Sequence, residues 1–194
     1  MHQLMRQLSA TAVVAMAAST IAIAHDNDSR GERDAYVITP VVSNLAGQAA
    51  KQDPVLQNAW GIAFSPAGSP FWVNDNATGC STLYDGVGTK VALQVSIPLP
   101  GNVVPATSCQ PNNNASGTTP AGPSGIVWNP AASFLVPGTK IPAVFIFSTE
   151  DGTISAWAGG LNPATNAVIA ADESASGAVY KGLAFAVNAK GAFL

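Results

Sequence analysis

From residue 60 onward the apolar positions come in short runs of three to seven residues, each closed by Gly, Pro, Asn, Asp, Ser or Thr. The runs are rich in Val, Ile, Phe, Trp and Tyr, side chains that fit a pleated, half-buried surface, and they are too short for ordinary helices. They predict strands. One set lies at 62–64, 71–74, 81–84 and 91–97, and a second at 126–128, 144–148, 153–157 and 166–170. The turns between them agree: "TEDGT" holds an Asp-Gly pair, which tolerates the positive φ of a tight hairpin, and "NATG" stands at the matching corner of the first set. Beyond residue 24 no stretch carries the spacing of an amphipathic helix.

The two sets repeat one order. "WGIAFSPAGSPFWVNDNATGCSTLYDG" runs from a glycine-led strand through a Pro/Gly turn into "FWVND" and "CSTLYDG". "SGIVWNP" followed by "AVFIFSTEDGTISAWAGG" repeats it with a longer insertion, and "KGLAFAVNAKGAFL" begins it again. Gly61, Gly125 and Gly182 anchor the three copies at separations of 64 and 57 residues, and Tyr84 and Trp157 take the same place in the third strand. A four-stranded antiparallel unit that recurs in this way, and cannot bury both faces alone, is the pattern of a β-propeller. The expected fold is all-β, an incomplete β-propeller of about two and a half blades within a domain spanning 36–194. Blade one covers about 60–98, a polar insertion 100–123, blade two about 124–174 and a truncated blade three 180–194. "GLAFAV" reads as the innermost strand of the third blade and "GAFL" as the start of its second. The alternative is a complete β-sandwich of roughly seven to ten strands.

The start of the chain sets the compartment. "MHQLMRQLSATAVVAMAASTIAIA" joins Arg6 to an apolar run from Leu8 to Ile23, with small residues at Ala22 and Ala24, as a secretory signal peptide (1–24) does. A retained anchor is the alternative, but the run is shorter than the about 20 apolar residues of a span, and no later segment approaches one. Residues 25–35 hold six charged side chains and no apolar period, and read as a solvated, disordered leader. A mature chain from residue 25 has 7 basic and 11 acidic groups. It is expected to be secreted, to the periplasm or beyond.

Two absences narrow the chemistry. His2 and His25 are the only histidines, so the body after residue 35 holds no imidazole for a Ser-His-Asp or Cys-His arrangement or for a histidine-ligated zinc or iron. Arginine is missing after Arg33, and Lys51, Lys90, Lys140, Lys181 and Lys190 are scattered singly. There is no basic stripe to neutralise phosphates, and no nucleic-acid partner is expected.

"YVITPVVSNLAGQAAKQDPVLQNAWGIAFSPAGSPFWVNDNATGCSTLYDG" and "FIFSTEDGTISAWAGGLNPATNAVIAADESASGAVYKGLAFA" closely resemble an uncharacterised family of bacterial secreted proteins, some of whose members end in a PEP-CTERM sorting tail. The resemblance covers nearly everything after residue 35. It implies a six-bladed propeller, related in architecture to NHL-repeat and gluconolactonase-like proteins, of which this chain is similar to the N-terminal half. It brings no established activity. The leading expectation is a non-enzymatic binding or cell-envelope scaffold with a protein or glycan partner. The rival is a Ca²⁺-dependent lactonase or phosphotriesterase, since enzymes of the gluconolactonase and paraoxonase kind hold one Ca²⁺ in the axial channel with Asn, Asp and Glu oxygens, commonly from the residue before an inner-strand glycine. Here those residues are Trp60, Ser124 and Lys181, none an amide or carboxylate, and Lys181 would repel a cation. Asn58 is the nearest oxygen ligand. Asn58, Trp60, Ser124 and Lys181 are therefore candidate channel-mouth positions. No catalytic, metal or cofactor-binding residue is assigned, and Ca²⁺ is expected only with ligands from a further half.

Other conspicuous residues read as structure. Glu150 and Asp151 fall in a hairpin turn facing solvent, and Asp172 and Glu173 form a charged strand edge. Trp60, Trp72, Trp128 and Trp157 are expected between blades rather than on a sugar-binding surface. The sequons at Asn27, Asn76 and Asn114 predict no glycan in a chain that looks bacterial. The 100–123 insertion is the first place expected to meet a partner. Cys80 and Cys109, the only cysteines, are expected to form a disulfide that ties the insertion back to blade one; the alternatives are unpaired thiols or a bond from either one to a cysteine of a further half.

Overall fold

Two four-stranded antiparallel sheets arise from the two sets of apolar runs, each with its strands hydrogen-bonded in chain order. The computed structural model describes residues 36–111 and 119–194, almost wholly in one unit, Ile38–Leu194. The signal peptide, the charged leader, both histidines, the sequons at Asn27 and Asn114 and the middle of the polar insertion lie outside the described residues. After two short strands, β1 (Val42–Ser43) and β2 (Lys51–Gln52), the first sheet contains β3 (Ala59–Ala63), β4 (Phe71–Asp75), β5 (Cys80–Tyr84) and β6 (Lys90–Ser96). The second contains β7 (Pro123–Trp128), β8 (Phe145–Thr149), β9 (Thr153–Trp157) and β10 (Val168–Asp172). A hairpin of β11 (Ala186–Asn188) and β12 (Gly191–Phe193) follows. The described residues are thus all-β, and neither four-stranded sheet closes on itself.

The boundaries depart from the sequence pattern where packing intervenes. β10 begins two residues later than expected because 165–167 is engaged elsewhere: Ser96 N–H donates to Thr165 O at 2.8 Å and Ala167 N–H to Ser96 O at 3.0 Å, joining the outer edge of the first sheet to the second. The last hairpin starts only at Ala186, near the end of "GLAFAV", and Gly182 and Leu183 lie against Gly125 instead. The parallel pairing of β1 with β2 has no counterpart in the expected elements, because "VS" and "KQ" are too short to show a period.

Side-chain alternation decides how the sheets meet. Trp72 and Leu83 on one face of the first sheet, with Val95 and Ile97, join Phe145, Phe147, Ile126 and Trp157 of the second in one core. The Trp72 ring stacks on Phe145 with centroids 4.3 Å apart and lies 4.6 Å from Trp157. Each of these large rings removes enough apolar surface from water to stabilise the fold by roughly 2–3 kcal/mol.

The contact between sheets has a repeated element. A Cβ on Gly61 would lie 2.6 Å from Ser124 O, and one on Gly125 would collide with Gly182 and Leu183 backbone, so any larger residue would push the next inner segment away. The fourth residue of each second strand then reaches across: Asn74 Nδ2 donates to Gly125 O at 2.9 Å, and Ser148 Oγ donates to Gly182 O at 3.3 Å. One rule thus links sheet one to sheet two and sheet two to the segment after it.

Candidate functional site

Ala59 pairs with Asp75 and Pro123 with Thr149, so β3 and β7 begin at the end of their sheets where β4 and β8 finish. Asn58 opens β3 with φ 52°, a left-handed conformation that Asn tolerates better than most residues. Its Nδ2 donates to Asn76 Oδ1 at 3.0 Å. Asn76, in the β4–β5 turn, passes the contact on, with Nδ2 donating to Glu150 Oε2 at 2.9 Å. Glu150 accepts on its other oxygen from the Lys181 ammonium, and that ammonium stands 5.4 Å from the centre of the Trp60 ring. The result is a polar ladder across three repeats, closing back on the first.

The Trp60–Lys181 end of the ladder borders an open mouth of about 480 Å³, lined also by Ile62, Ser124, Gly61 and Gly125, while Asn76 and Glu150 stand behind Lys181 and line a neighbouring pocket. Three of the four sequence candidates line the mouth, and the fourth, Asn58, lies outside the lining and is linked to Lys181 through Asn76 and Glu150. Ser124 turns its hydroxyl away into structure, donating to Tyr180 O at 2.7 Å. Lys181 and Asn76 both donate to Glu150, in that order of effect, and hold its carboxyl below the usual range. The residue therefore stays ionised and keeps Lys181 in place.

Two expectations need correction here, and one residue gains a role. Glu150 and Asp151 do not simply face solvent: Glu150 is half-buried in the ladder, and Asp151 Oδ2 accepts from Gly122 N–H at 2.7 Å. Trp60 is not packed between sheets as Trp72 and Trp157 are, being 43 % exposed at the mouth. Asn76 matched only a sequon, yet its amide is engaged by Glu150. Superposing the repeats would have revealed the ladder, because Asn76 and Glu150 each follow the second strand of their unit by one residue.

A second polar cluster lies on the other face of the first sheet. Tyr84 OH donates to Asp53 Oδ2 at 2.6 Å, and Lys90 Nζ pairs with the same oxygen at 2.8 Å. Burial opposes the charge of Asp53, but the bonds from Lys90, Tyr84 and the Val55 N–H outweigh it and hold the pKa low. Asp75 beside it is fully buried, with Thr82 Oγ1 donating to Oδ2 at 2.7 Å. Burial, reinforced by the charge of Asp53, pushes the Asp75 carboxyl up to about 8 against the Thr82 bond. The two acids thus divide the roles of charged partner and neutral core group.

The Cys80–Cys109 disulfide forms as expected, with Cα atoms 4.9 Å apart. It packs with Val55 and pins the described start of the insertion, where Cys109 N–H also donates to Thr78 O at 2.9 Å. The short 3-10 turn Pro100–Asn102 is fastened too: Gly101 N–H donates to Asp172 and Asn102 Oδ1 accepts from Ile169 N–H, both at 3.1 Å. Asp172 is accordingly an exposed edge residue that also holds this turn. Among the described residues no helix is long and apolar enough to cross a membrane, and no group of three or more His, Cys, Asp or Glu side chains gathers as metal ligands.

No family model matches the chain, and no solved structure matches it. Over 155 residues it is 28 % identical to an uncharacterised protein of Acanthamoeba polyphaga mimivirus, a match that takes in 78 % of this chain and 34 % of the viral protein. The chain is similar to about a third of that relative's length.

Proposed function

We propose that the chain is part of a secreted, six-bladed β-propeller of the uncharacterised bacterial family it resembles, and that it serves as a non-enzymatic binding or envelope-scaffold module whose ligand enters the mouth at Trp60 and Lys181. The propeller reading is supported by the repeated stacking, in which a glycine of one inner strand receives the backbone of the next and a buried side chain bonds across, first at Gly61 and Gly125 and then at Gly125 and Gly182. Secretion is supported by the amino-terminal apolar run and by a disulfide, a bond at home in oxidising compartments.

The observation that carries the binding reading is the Lys181–Glu150 pair. Asn58, Asn76 and Glu150 do bring two amides and a carboxylate together, which favours the rival Ca²⁺-dependent lactonase or phosphotriesterase as the second reading. The carboxylate, however, already holds an ammonium where a hard cation would sit, and that ammonium lies beside an aromatic ring rather than a candidate nucleophile. Calorimetric titration with Ca²⁺, followed by a panel of lactones and phosphotriesters with and without chelator, separates the readings. The binding module shows no saturable Ca²⁺ heat and no chelator-sensitive turnover. Turnover that chelator abolishes and Glu150→Gln removes would establish the hydrolase instead.

A further inference from the structure

The mouth also indicates the chemistry of its ligand, an inference that rests on the binding reading above. We infer that Trp60, Lys181 and Glu150 form a subsite for a neutral pyranose sugar, the ring lying against the indole and its hydroxyls bridging the Lys181–Glu150 pair.

The physical case begins with Trp60. A Trp on an inner strand is ordinarily covered, yet this one leaves 43 % of its surface open at a mouth of about 480 Å³. That volume lies within the range of about 300–1,000 Å³ usual for small-ligand sites. A flat, rigid aromatic surface open to water gains most from a ligand with one flat apolar face and a polar rim. A pyranose has both, in its axial C–H groups and its equatorial hydroxyls.

The polar groups match that rim. A hydroxyl both donates and accepts, so two neighbouring hydroxyls are satisfied by a donor beside an acceptor. Lys181 offers only donors and ionised Glu150 only acceptors; they touch, and their side chains are 61 % and 31 % exposed. Asn76 holds Glu150 from behind, so the pair is oriented before any ligand arrives.

Charge decides between sugars. Lys181 is matched by Glu150, so the pair presents no net charge. An anionic ligand would have to displace Glu150 from Lys181, and a cationic one would have to displace Lys181 from Glu150. A neutral polyol can bond to both without breaking them apart.

Intrinsic-fluorescence titration of the full chain tests this, with methyl glucoside, galactoside and mannoside and their disaccharides as probes, and polygalacturonate and an acidic peptide as comparators. At least one neutral pyranose should quench emission saturably. Trp60→Phe should weaken binding and Trp60→Ala should weaken it at least about tenfold, the loss equivalent to one good contact. Lys181→Met and Glu150→Gln should each weaken it several-fold. Near-UV circular dichroism confirms that each variant is folded. Binding of a pyranose that Trp60→Ala leaves unchanged would overturn the subsite. Binding of the uronate polymer or the peptide alone, still dependent on Trp60, would overturn the neutral-sugar assignment while leaving the mouth as the binding site. If no probe of any class gives a Trp60-dependent signal, both this inference and the binding reading fail.

Discussion

At the scale of the residue, the clearest consequence of burial is at Asp75. Its carboxyl ionises near 3.8 when unfolded but only near about 8 in the fold. Between those values the unfolded chain releases a proton that the folded chain keeps. The stability it contributes is therefore complete below about pH 4 and is lost progressively as the pH rises through about 8. Asp75→Asn keeps the shape and removes the titration. The variant should melt above the wild type at pH 7, with the gap shrinking toward pH 4; thermal melts across pH 4–9 measure it, and parallel curves would contradict the assignment. A difference of a few kcal/mol at neutral pH is the expected order, given about 1.4 kcal/mol per unit of pKa. Little of this was legible beforehand. "VND" marks Asp75 only as the polar end of a strand, and part of its shift comes from the charge of Asp53, which arrives from the segment before the sheet. Glu150 was misjudged for the same reason, because a hairpin acid looks solvated until a lysine 31 residues later is placed beside it.

At the scale of the element, strands were legible and their company was not. β4, β5, β8 and β9 follow the apolar runs closely because alternation and turn residues act locally. β10 is shifted because hydrogen bonds from Ser96 take the residues before it, a contact across more than 60 positions that no local pattern records. The polar insertion shows the same division. Its two cysteines announced a tether, and the bond from Cys80 to Cys109 encloses a separation of 29 residues. In the chain-entropy account, closing such a loop is worth about 3–4 kcal/mol. Replacing both cysteines by serine should lower unfolding free energy by an amount of that order and speed proteolysis within 99–111, while Trp72 keeps its buried near-UV signal. Equal denaturant midpoints for the two proteins would show that the loop is held by its other bonds alone, such as Cys109 N–H to Thr78 O.

At the scale of the whole molecule, the binding role proposed above depends on assembly of the repeats. Gly61, Gly125 and Gly182 were visible as anchors in the sequence, and the reason for them is now physical: the first two are approached by the backbone of the following unit. That stacking sets Lys181 of the third segment against both Trp60 of the first unit and Glu150 of the second, although Trp60 and Glu150 are separated by 90 positions in the chain and Glu150 and Lys181 by 31. Fluorine NMR of protein labelled with 5-fluorotryptophan tests this convergence directly, with each Trp→Phe variant assigning one of the four indole resonances. Lys181→Met should move the Trp60 resonance and leave Trp72, stacked on Phe145 in the core, where it was. A Trp60 resonance indifferent to Lys181→Met, in a protein that retains the Trp72 signal, would contradict the account.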